Sequence, residues 1–460
     1  MKEKKLGSQI VCEALINEDV NVVFGIPGGA ILPLYGVLSQ YEDLKHILVR
    51  HEQGAAHAAD GYSRSTGKVG VAFATSGPGA TNLITGLATA MMDSVPMVAI
   101  TGQVGRAAIG SDAFQETDIT GATLPVTKHN YLVMKADDIG EIIHEAFYIA
   151  RTGRPGPVLI DIPRDVFTEL GNYDPKKQLS IPGYNVPKNA DDNEVEFASK
   201  LINKANKPVI LAGHGVIISK AWDELRLIAE KAQIPVVTTL LGISSFPENH
   251  ILSTGWPGMH GMAYASLALD QADLIINFGS RFDDRIVGDV SRFAKRSKKI
   301  HVDIDPSSIG KNIKVDLPIV SDVDSFLKSL NKRFKEKNKD FLNSNKANIS
   351  KWWKDIDKWR QKKSLGFKNS DKVIKPQHAV KRLYELSKHK DAYITTEVGQ
   401  HQMWAAQHYK FNKPNRWMTS GGLGTMGYGL PAAVGVQVAN PCLLYTSDAA
   451  DEGLGVDLGG

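Results

Sequence analysis

Cysteine, long apolar runs and net charge are all scarce in this sequence. Only two cysteines occur in 460 residues, which excludes a disulfide framework and a zinc site built from cysteines. No stretch reaches the run of about 18 apolar residues that a membrane-spanning helix needs. The formal net charge of +4 is too small at this length to make a nucleic acid the expected partner.

The composition is otherwise that of an ordinary globular protein, with 42% hydrophobic and 23% charged residues. The charged start, residues 1–5, is not followed by the apolar segment of a secretory signal. We therefore expect a cytoplasmic protein with no membrane segment. At roughly 150 residues per domain, the length predicts about three domains.

Short apolar runs alternate with helix-length segments, which is typical of an α/β fold with doubly wound parallel sheets. The predicted strands are Val20–Ile26, Ile47–Arg50, Val69–Thr75, Val95–Thr101 and Val158–Ile162, followed by Val209–Ala212, Pro235–Leu240, Leu274–Phe278, Ile300–Ile304 and Leu317–Val320. The predicted helices include Ser8–Asn17, His51–Thr66 and Ile139–Arg151. In such sheets, ligands bind at the loops that leave the carboxyl ends of the strands.

Changes in composition divide the chain into segments. A proline-rich stretch near residues 172–189 separates a first domain, 1–172, from a second, 190–330. Residues 331–375 have no sheet pattern, but Trp352, Trp353 and Trp359 recur at helical spacing, so we expect a packed helical linker. A third domain, 376–441, opens with a helix from Gln377 and a strand at Tyr393–Thr396.

Three glycine-rich segments follow predicted strands or precede predicted helices: residues 25–29, 75–82 and 421–431. Glycine lets the backbone approach a ligand closely, and it also simply makes a tight turn. Each segment taken alone leaves both interpretations open.

Glu52 lies on the first turn of the helix predicted after the second strand. The helix dipole alone favours a carboxylate there. The neighbouring Gly and Ala residues, however, remove bulk from the helix, and a carboxylate in that setting is suited to proton transfer. His51 and His57 are six residues apart and do not share a helix face, so we interpret both as structural.

Two polar segments end strands of the second domain. Residues 279–285 contain two Asp and two Arg, most often a solvated ion-pair cluster, but the end of a buried strand is better placed to hold a polar ligand. Residues 301–306 end a strand with carboxylates, which commonly bind ribose or ribityl hydroxyls. No Gly-x-Gly-x-x-Gly precedes them, so the standard dinucleotide fingerprint is absent.

Taken in order, these motifs resemble the large, catalytic subunit of acetolactate synthase (acetohydroxyacid synthase) from about Leu6 to Pro441. The matching segments are FGIPGGAILPLY, RHEQGAAHAADGY, TSGPGATN, GSDAFQETDI, GSRFDDR and GGLGTMGYGLPAA. The resemblance implies three doubly wound domains: pyrimidine-binding, central FAD-binding and diphosphate-binding, the third of them incomplete. GSRFDDR resembles the flavin-containing biosynthetic branch rather than the flavin-free catabolic one.

The resemblance implies a transferase that decarboxylates pyruvate on thiamine diphosphate. The hydroxyethyl carbanion then condenses with a second pyruvate or with 2-ketobutyrate, which begins valine, leucine and isoleucine synthesis. Glu52 matches the glutamate that hydrogen-bonds the aminopyrimidine ring of the cofactor. The cofactor supplies the carbanion chemistry and the protein supplies geometry and proton control. A homodimer or tetramer and a small regulatory subunit are the implied partners.

Other site residues follow from the same resemblance. Gly29, Phe114, Gln115 and Lys128 match residues near the reacting substrate, and Arg285 matches the arginine that pairs with the acceptor carboxylate. The implied thiamine diphosphate contacts are Val398, Gly399, Gln400, His401, Gly422 and Met426. The implied FAD contacts are Arg154, Gly213, His214, Gly215, His260, Gly279, Arg281, Asp283, Asp303, Ile304 and Asp322. The flavin is expected to be structural, because the reaction has no net redox change.

The sequence departs from the family pattern after Pro441. The family continues with a Gly-Asp-Gly and a later Asn that bind Mg²⁺ through oxygen ligands, and this sequence contains no Gly-Asp-Gly. We therefore expect no metal site here, a truncated third domain, a non-native tail at 442–460 and little activity from the chain as written.

Two alternatives stay open on the sequence alone. One is a non-catalytic FAD-binding remnant that lacks the Mg²⁺ site. The other is a pyruvate oxidase or decarboxylase of the same superfamily, against which Phe114 and Gln115 together with Arg281–Arg285 argue.

Overall fold

The computed structural model describes residues 4–337, 341–362, 365–441 and 445–448. These residues form two compact units. Unit 1 contains the described residues of Met1–Asn185, Thr395–Val398 and Ser420–Ala449, and unit 2 contains those of Val186–Ile394 and Gly399–Thr419. Each unit therefore contains short segments from the C-terminal part of the chain.

A six-stranded parallel sheet forms the centre of unit 1. The described part of unit 1 up to residue 171 contains eight strands, six of which form this sheet. They are β1 (Lys5–Leu6), β2 (Val22–Gly25), β3 (Lys45–Leu48), β4 (Gly70–Ala74), β5 (Met97–Gln103), β6 (His129–Leu132), β7 (Pro157–Pro163) and β8 (Leu170–Gly171). The order across the sheet is β3–β2–β4–β5–β7–β6, and every pair in it is parallel. Strands β1 and β8 form a separate antiparallel pair.

Helices cover both faces of this sheet. They are α1 (Gly7–Asn17), α2 (Leu32–Leu38), α3 (Glu52–Thr66), α4 (Pro78–Asn82), α5 (Ile84–Asp93), α6 (Ile119–Thr123), α7 (Ile139–Arg151) and α8 (Arg164–Thr168). Strand β4 shows the two-sided burial: Val71 and Phe73 join one hydrophobic core, and Ala72 and Ala74 join the other. A strand buried on both faces explains why the apolar runs in the sequence are continuous rather than alternating.

Unit 2 is built around a five-stranded parallel sheet in the order β10–β9–β11–β12–β13. Its strands are β9 (Pro208–Ala212), β10 (Val236–Thr238), β11 (Leu274–Phe278), β12 (Lys298–Asp303) and β13 (Leu317–Val320). Its helices are α9 (Asp192–Lys204), α10 (His214–Ile218), α11 (Trp222–Ala232), α12 (Ala263–Gln271), α13 (Asp284–Val287), α14 (Val323–Lys337), α15 (Phe341–Lys362) and α16 (Pro376–Ser387).

The tryptophan-rich linker packs as a helix, as its spacing predicted. Trp352 of α15 is fully buried and its indole N–H donates to the Pro208 carbonyl at 3.2 Å. The Trp359 ring meets that of Trp352 edge to face, with centroids 5.6 Å apart. The buried Trp352 ring, with the partly buried Trp359 ring against it, fixes this helix against the sheet of unit 2.

The C-terminal segments complete the architecture. They contain β14 (Tyr393–Thr396), α17 (Gln400–His408), β15 (Trp417–Met418), α18 (Gly429–Ala439) and β16 (Tyr445–Asp448), and the strands follow the order β15–β14–β16. Within unit 1, α18 packs on α3. Both helices carry small residues at the contact, and a Cβ at Gly435 would lie only 1.9 Å from the Ala58 carbonyl oxygen.

The α/β class with parallel sheets is confirmed, and four element predictions have the observed bounds: Ile139–Arg151, Leu274–Phe278, Leu317–Val320 and Tyr393–Thr396. The other predicted strands differ from the structure by one or two residues at one or both ends. Strand β6 was missed, because its edge position leaves His129 and Leu132 exposed and its sequence has little apolar signal.

In the described part of the chain, no helix combines the length and the apolar character that crossing a bilayer requires. The expectation of a non-native tail concerns residues 442–460, of which all but the backbone of 445–448 lie outside the described residues.

The α18–α3 contact makes a test of the fold. Gly435→Ala should lower the free energy of unfolding by about 1–3 kcal/mol, because the new methyl group meets the backbone of α3. Gly36→Ala is the matched control, since a Cβ at this helical glycine of unit 1 meets nothing within 4 Å. The control should raise stability by about 0.5–1 kcal/mol. Urea unfolding followed by circular dichroism measures both, and equal stability of the two variants would contradict the packing.

Candidate functional site

The sheet of unit 1 has a crevice where its strand order reverses. The chain leaves β2 towards β3 on one side, while β4 lies on the other, so the loops after β2 and β4 diverge. The Ala30 amide donates to Thr75 Oγ1 at 3.2 Å across this crevice. A Cβ at Gly28 would lie 2.5 Å from the Thr75 side chain, so the first glycine-rich segment does require glycine.

Glu52 lies at the same edge of the sheet, as the first residue of α3. His51 caps this helix, with its Nδ1 accepting from the Gln53 amide at 3.1 Å, which supports its structural interpretation. The half-buried Glu52 carboxylate accepts a hydrogen bond from Asn82 Nδ2 at 2.9 Å. Gly29 lies exposed on the neighbouring loop. The structure therefore brings Glu52, Gly29 and the 75–82 segment to one edge.

The loop of residues 110–118 reaches this edge as well. A Cβ at Gly77 would lie 2.8 Å from the Gln115 carbonyl oxygen, so the two backbones are in close contact. Gln115 has a left-handed φ of 59°, and Phe114 is 89% exposed. The Glu116 carboxylate accepts from the amides of Gly110 and Ala113, and these hydrogen bonds hold its pKa below its usual range.

A buried carboxyl supports the base of that loop. Asp161 on β7 accepts from Thr101 Oγ1 at 2.7 Å and from Gln103 Nε2 at 2.8 Å. Gln103 also donates to the Thr117 carbonyl at 2.8 Å. Burial raises the pKa of Asp161 to about 7, because the ionised form is poorly solvated there.

A buried ionic network joins α3 to the third glycine-rich segment. Arg64 contacts Asp60 at 2.6 Å and Asp93 at 2.8 Å, and all three side chains are at most 7% exposed. The Tyr428 hydroxyl donates to Asp60 at 2.6 Å. Asp93 accepts the Gly422 amide at 2.6 Å, so the network fixes the backbone next to a predicted cofactor contact.

The N-terminus of α18 is occupied by a side chain of the protein itself. The Glu397 carboxylate accepts the amides of Tyr428 at 3.1 Å and Leu430 at 3.3 Å, and also those of Gly427 and Gly429. A carboxylate there satisfies amides that have no partner inside the helix and complements the helix dipole. Met426, just before this turn, is 62% exposed.

Lys128 and Arg154 lie at the opposite, amino edge of this sheet. Lys128 precedes β6, and its ammonium donates to the carbonyls of Ile149 at 2.5 Å and Thr152 at 2.7 Å, near the end of α7. Arg154 donates to Ser94 Oγ at 2.8 Å. The structure thus does not bring either residue to Glu52 within the chain, and their assigned roles stay predictions.

Unit 2 has an equivalent crevice between β9 and β11, where its strand order also reverses. Three glycines pack backbone to backbone there: a Cβ at Gly213 would lie 2.1 Å from the Gly279 carbonyl oxygen, and one at Gly279 would lie 2.5 Å from Gly215 Cα. Gly279 has a φ of 60°. His214 and Arg281 follow these glycines and are half-buried.

Several predicted polar contacts of unit 2 cap helices or turns. Asp283 accepts the amides of Arg285 and Ile286 at the start of α13, and Asp322 accepts the Ser325 amide at the start of α14. Asp303, at the end of β12, accepts the Asp305 amide at 2.9 Å, and Ile304 follows it. Arg285 and His260 are exposed.

Residues 398–401 lead into α17, which begins at Gln400 after the extended Gly399. Val398 belongs to unit 1, and the following residues belong to unit 2. His401 is 5% exposed, and its Nε2 has no hydrogen-bond partner among the described residues. Among these residues, too, no three His, Cys, Asp or Glu side chains are grouped as a metal site.

Sequence analysis did not identify five important side chains of unit 1: Asp60, Asp93, Arg64, Tyr428 and Glu397. Asp60 and Arg64 are four residues apart on α3, a spacing that allows an ion pair on one helix face. That signal usually means a solvated surface pair, and nothing in the local sequence shows that both are buried.

Profiles of one enzyme superfamily match most of the chain. The profile described as "Thiamine pyrophosphate enzyme, N-terminal TPP binding domain" matches residues 5–122. Those of the central domain and the C-terminal TPP binding domain match residues 195–330 and 397–450. Fold and profiles together define a thiamine diphosphate enzyme with the three domains in the predicted order.

Relatives narrow this class. The acetolactate synthase large subunit of Buchnera aphidicola subsp. Schizaphis graminum is 47% identical over 437 residues, which cover 95% of this chain and 75% of that protein. The acetolactate synthase of Mycobacterium leprae is 48% identical over 440 residues, covering 95% and 70%. The large subunit of Porphyra purpurea is 48% identical over 443 residues, covering 95% and 74%. The chain belongs to the acetolactate synthase large-subunit family.

The buried network predicts a large effect of one substitution. Arg64→Met should lower the free energy of unfolding by about 3–5 kcal/mol, because it leaves two buried carboxylates without their cation. Arg106→Met is the control: Arg106 also pairs with two carboxylates of unit 1, Asp165 and Glu169, but is 34% exposed. The control should change stability little. Chemical denaturation measures both, and a small loss in Arg64→Met would refute the network's importance.

Asp161 gives a pH-dependent prediction. Its native pKa of about 7 exceeds the value of about 3.9 expected when unfolded, so its contribution to stability is lost as the pH rises through this window. Asp161→Asn should therefore gain stability relative to the unmodified protein between about pH 4 and pH 7.

The control for this experiment is Asp165→Asn, which should show the opposite trend. Burial alone would raise the pKa of Asp165, but hydrogen bonds from Arg106 lower it below its usual range. Its stabilising contribution is therefore present at neutral pH and lost on acidification. Parallel pH trends in the two variants, measured by thermal unfolding, would contradict the assignment.

Proposed function

We propose that this protein decarboxylates pyruvate on thiamine diphosphate and transfers the resulting two-carbon unit to a second pyruvate or to 2-ketobutyrate. The observation that carries the proposal is the Glu52 carboxylate at the carboxyl edge of the unit 1 sheet, the edge that also holds the exposed Gly29. The family membership supports it and does not favour a flavin-binding remnant or a pyruvate oxidase or decarboxylase.

The residues present fit thiamine diphosphate. Gly79 leaves one face of Glu52 without bulk, since a Cβ at this position would lie 3.3 Å from Glu52 Oε1. When bound, the cofactor supplies the electron sink for decarboxylation and carboligation. Glu52 would hold a proton at its free oxygen against the aminopyrimidine ring.

FAD fits the crevice of unit 2. The mutual contact of Gly213, Gly215 and Gly279 leaves backbone, not side chains, at the reversal point, and such crevices bind flavins in sheets of this strand order. Arg281 and Asp303 would supply charge and hydroxyl acceptors beside it. Because the proposed reaction has no net redox change, the flavin's role is structural.

Mg²⁺ is the third cofactor that the family implies. The described residues group no three His, Cys, Asp or Glu side chains as ligands, so we derive no step through this ion. The interpretation of residues 442–460 as non-native stays a prediction, as does low activity of the chain as written. Resequencing the coding DNA beyond the Pro441 codon tests the first.

The remaining assignments are also predictions. Arg285 is proposed to pair with the acceptor carboxylate, and Phe114, Gln115 and Lys128 to lie near the substrate. A homodimer or tetramer, a small regulatory subunit and a cytoplasmic location complete the proposal. The family name of the relatives, a large subunit, supports the regulatory partner.

Acetolactate formation from pyruvate is the test of the proposed function. With thiamine diphosphate, Mg²⁺ and FAD added, the chain as written should form only a little acetolactate, and Glu52→Gln should lower that residual kcat by about 100-fold or more, the usual value of a general acid–base. Glu42→Gln, at an exposed glutamate of the same unit, should leave kcat unchanged. Carbon dioxide release without acetolactate would instead support a decarboxylase, and a Glu52→Gln variant as active as the unmodified protein would contradict the proposal.

A further inference from the structure

One hydrogen bond fixes the Glu52 side chain. Asn82, the last residue of α4, donates its Nδ2 to Glu52 Oε2 at 2.9 Å. The two residues are 30 positions apart, so the fold of the sheet, not the local chain, creates this contact. Glu52 begins α3 and Asn82 ends the short helix after β4, and both elements leave the carboxyl edge of the same sheet.

The other carboxylate oxygen is left accessible. Glu52 Oε1 has no hydrogen-bond partner among the residues that the structure describes. Gly79 lies beside it, and a Cβ at this position would crowd both Oε1, at 3.3 Å, and Thr75 Cγ2, at 2.8 Å. The segment 79–82 therefore engages one oxygen through an amide and keeps the approach to the other open by lacking a side chain.

We infer that Asn82 is a positioning residue for Glu52. The Asn82 N–H group can only donate a hydrogen bond, and Glu52 Oε2 accepts it. The other oxygen, Oε1, is therefore the one that can exchange a proton with a ligand. Fixing the carboxylate in this way removes a rotation that would otherwise have to be frozen on binding. The inference deepens the proposed function and rests on it in one respect, namely that the ligand of Oε1 is the aminopyrimidine ring.

The sign of the electrostatic effect follows from the same contact. An amide donor stabilises the ionised carboxylate, so removing it shifts proton uptake by Glu52 to higher pH. Asn82→Ala removes the donor, and Asn82→Asp replaces it with a second negative charge next to Oε2. The shift should therefore run in one direction for both variants and be larger for Asn82→Asp.

The first readout needs neither cofactor nor turnover. Infrared difference spectra over the pH range in which carboxylates titrate would follow the C=O stretch of protonated Glu52, assigned by its loss in Glu52→Gln. We expect this band to appear at higher pH in Asn82→Ala and at higher pH still in Asn82→Asp. An unchanged titration in both variants would overturn the inference.

The second readout is the pH profile of kcat for acetolactate formation. We expect the limb of the profile that depends on Glu52 to move to higher pH and kcat to fall about tenfold in Asn82→Ala, the value of one hydrogen bond to a charged group. A fall in kcat without any change of the pH profile would indicate a structural role only and would overturn the inference.

Asn17 provides the matched control. It lies in the same unit and also makes one amide hydrogen bond to an oxygen, donating to the Tyr173 hydroxyl at 2.8 Å, but it is exposed at the end of α1. Asn17→Ala and Asn17→Asp should change neither the infrared titration nor the pH profile. Equal shifts in these controls would overturn the inference.

The two readouts separate this inference from the proposed function. If the unmodified protein forms no acetolactate while the infrared titration shifts as expected, the proposed reaction fails and the role of Asn82 stands. If acetolactate formation depends on Glu52 while the Asn82 variants change neither the infrared titration nor the pH profile, the inference fails and the proposed reaction stands.

Discussion

A single buried cation, the Arg64 guanidinium, is the constraint on which the arrangement of unit 1 depends. It is placed between Asp60 and Asp93, so the three groups carry one net negative charge away from water. That excess is compensated by donors from elsewhere: the Tyr428 hydroxyl and the amides of Gly421 and Gly422. Since a buried charge is tolerated only when such partners are complete, the glycine-rich segment cannot move independently of α3. Glu52 begins the same helix, so its position and that of the segment are linked.

Both units place a reversal of strand order at the centre of the candidate site, and glycine makes each crevice narrow. They differ in what lines it. In unit 1 a helix delivers a carboxylate whose second oxygen stays accessible, an arrangement suited to proton exchange. In unit 2 the crevice between β9 and β11 is backbone, and the carboxylates of Asp283, after β11, and Asp322, after β13, cap helices. The same arrangement of strands therefore presents a carboxylate in unit 1 and mainly backbone in unit 2.

The sequence predicts much of this because its signals are local. Continuous apolar runs mark strands such as β11 and β13, and Glu52 follows a strand by a spacing that puts it on a first helical turn. Edge strand β6 escaped because half-exposed strands carry a weak pattern. The Arg64 network and the Glu52–Asn82 contact were not predicted from the sequence, for another reason. Burial and long-range pairing decide whether a charge pair is a solvated surface feature or a structural centre, and neither is visible in neighbouring residues.

The contact between Asp60 and Tyr428 joins residues 368 positions apart. At a synthesis rate of about 5–20 residues per second, roughly 20–70 s pass between the synthesis of α3 and that of α18, the helix that covers its alanine-rich face. Closing so long a loop costs little more entropy than closing a shorter one, because the cost grows only with the logarithm of length. The delay is therefore a matter of time rather than of equilibrium stability. Until α18 is made, the apolar face of α3 stays uncovered, and exposed apolar surface of this kind makes a nascent chain prone to aggregation.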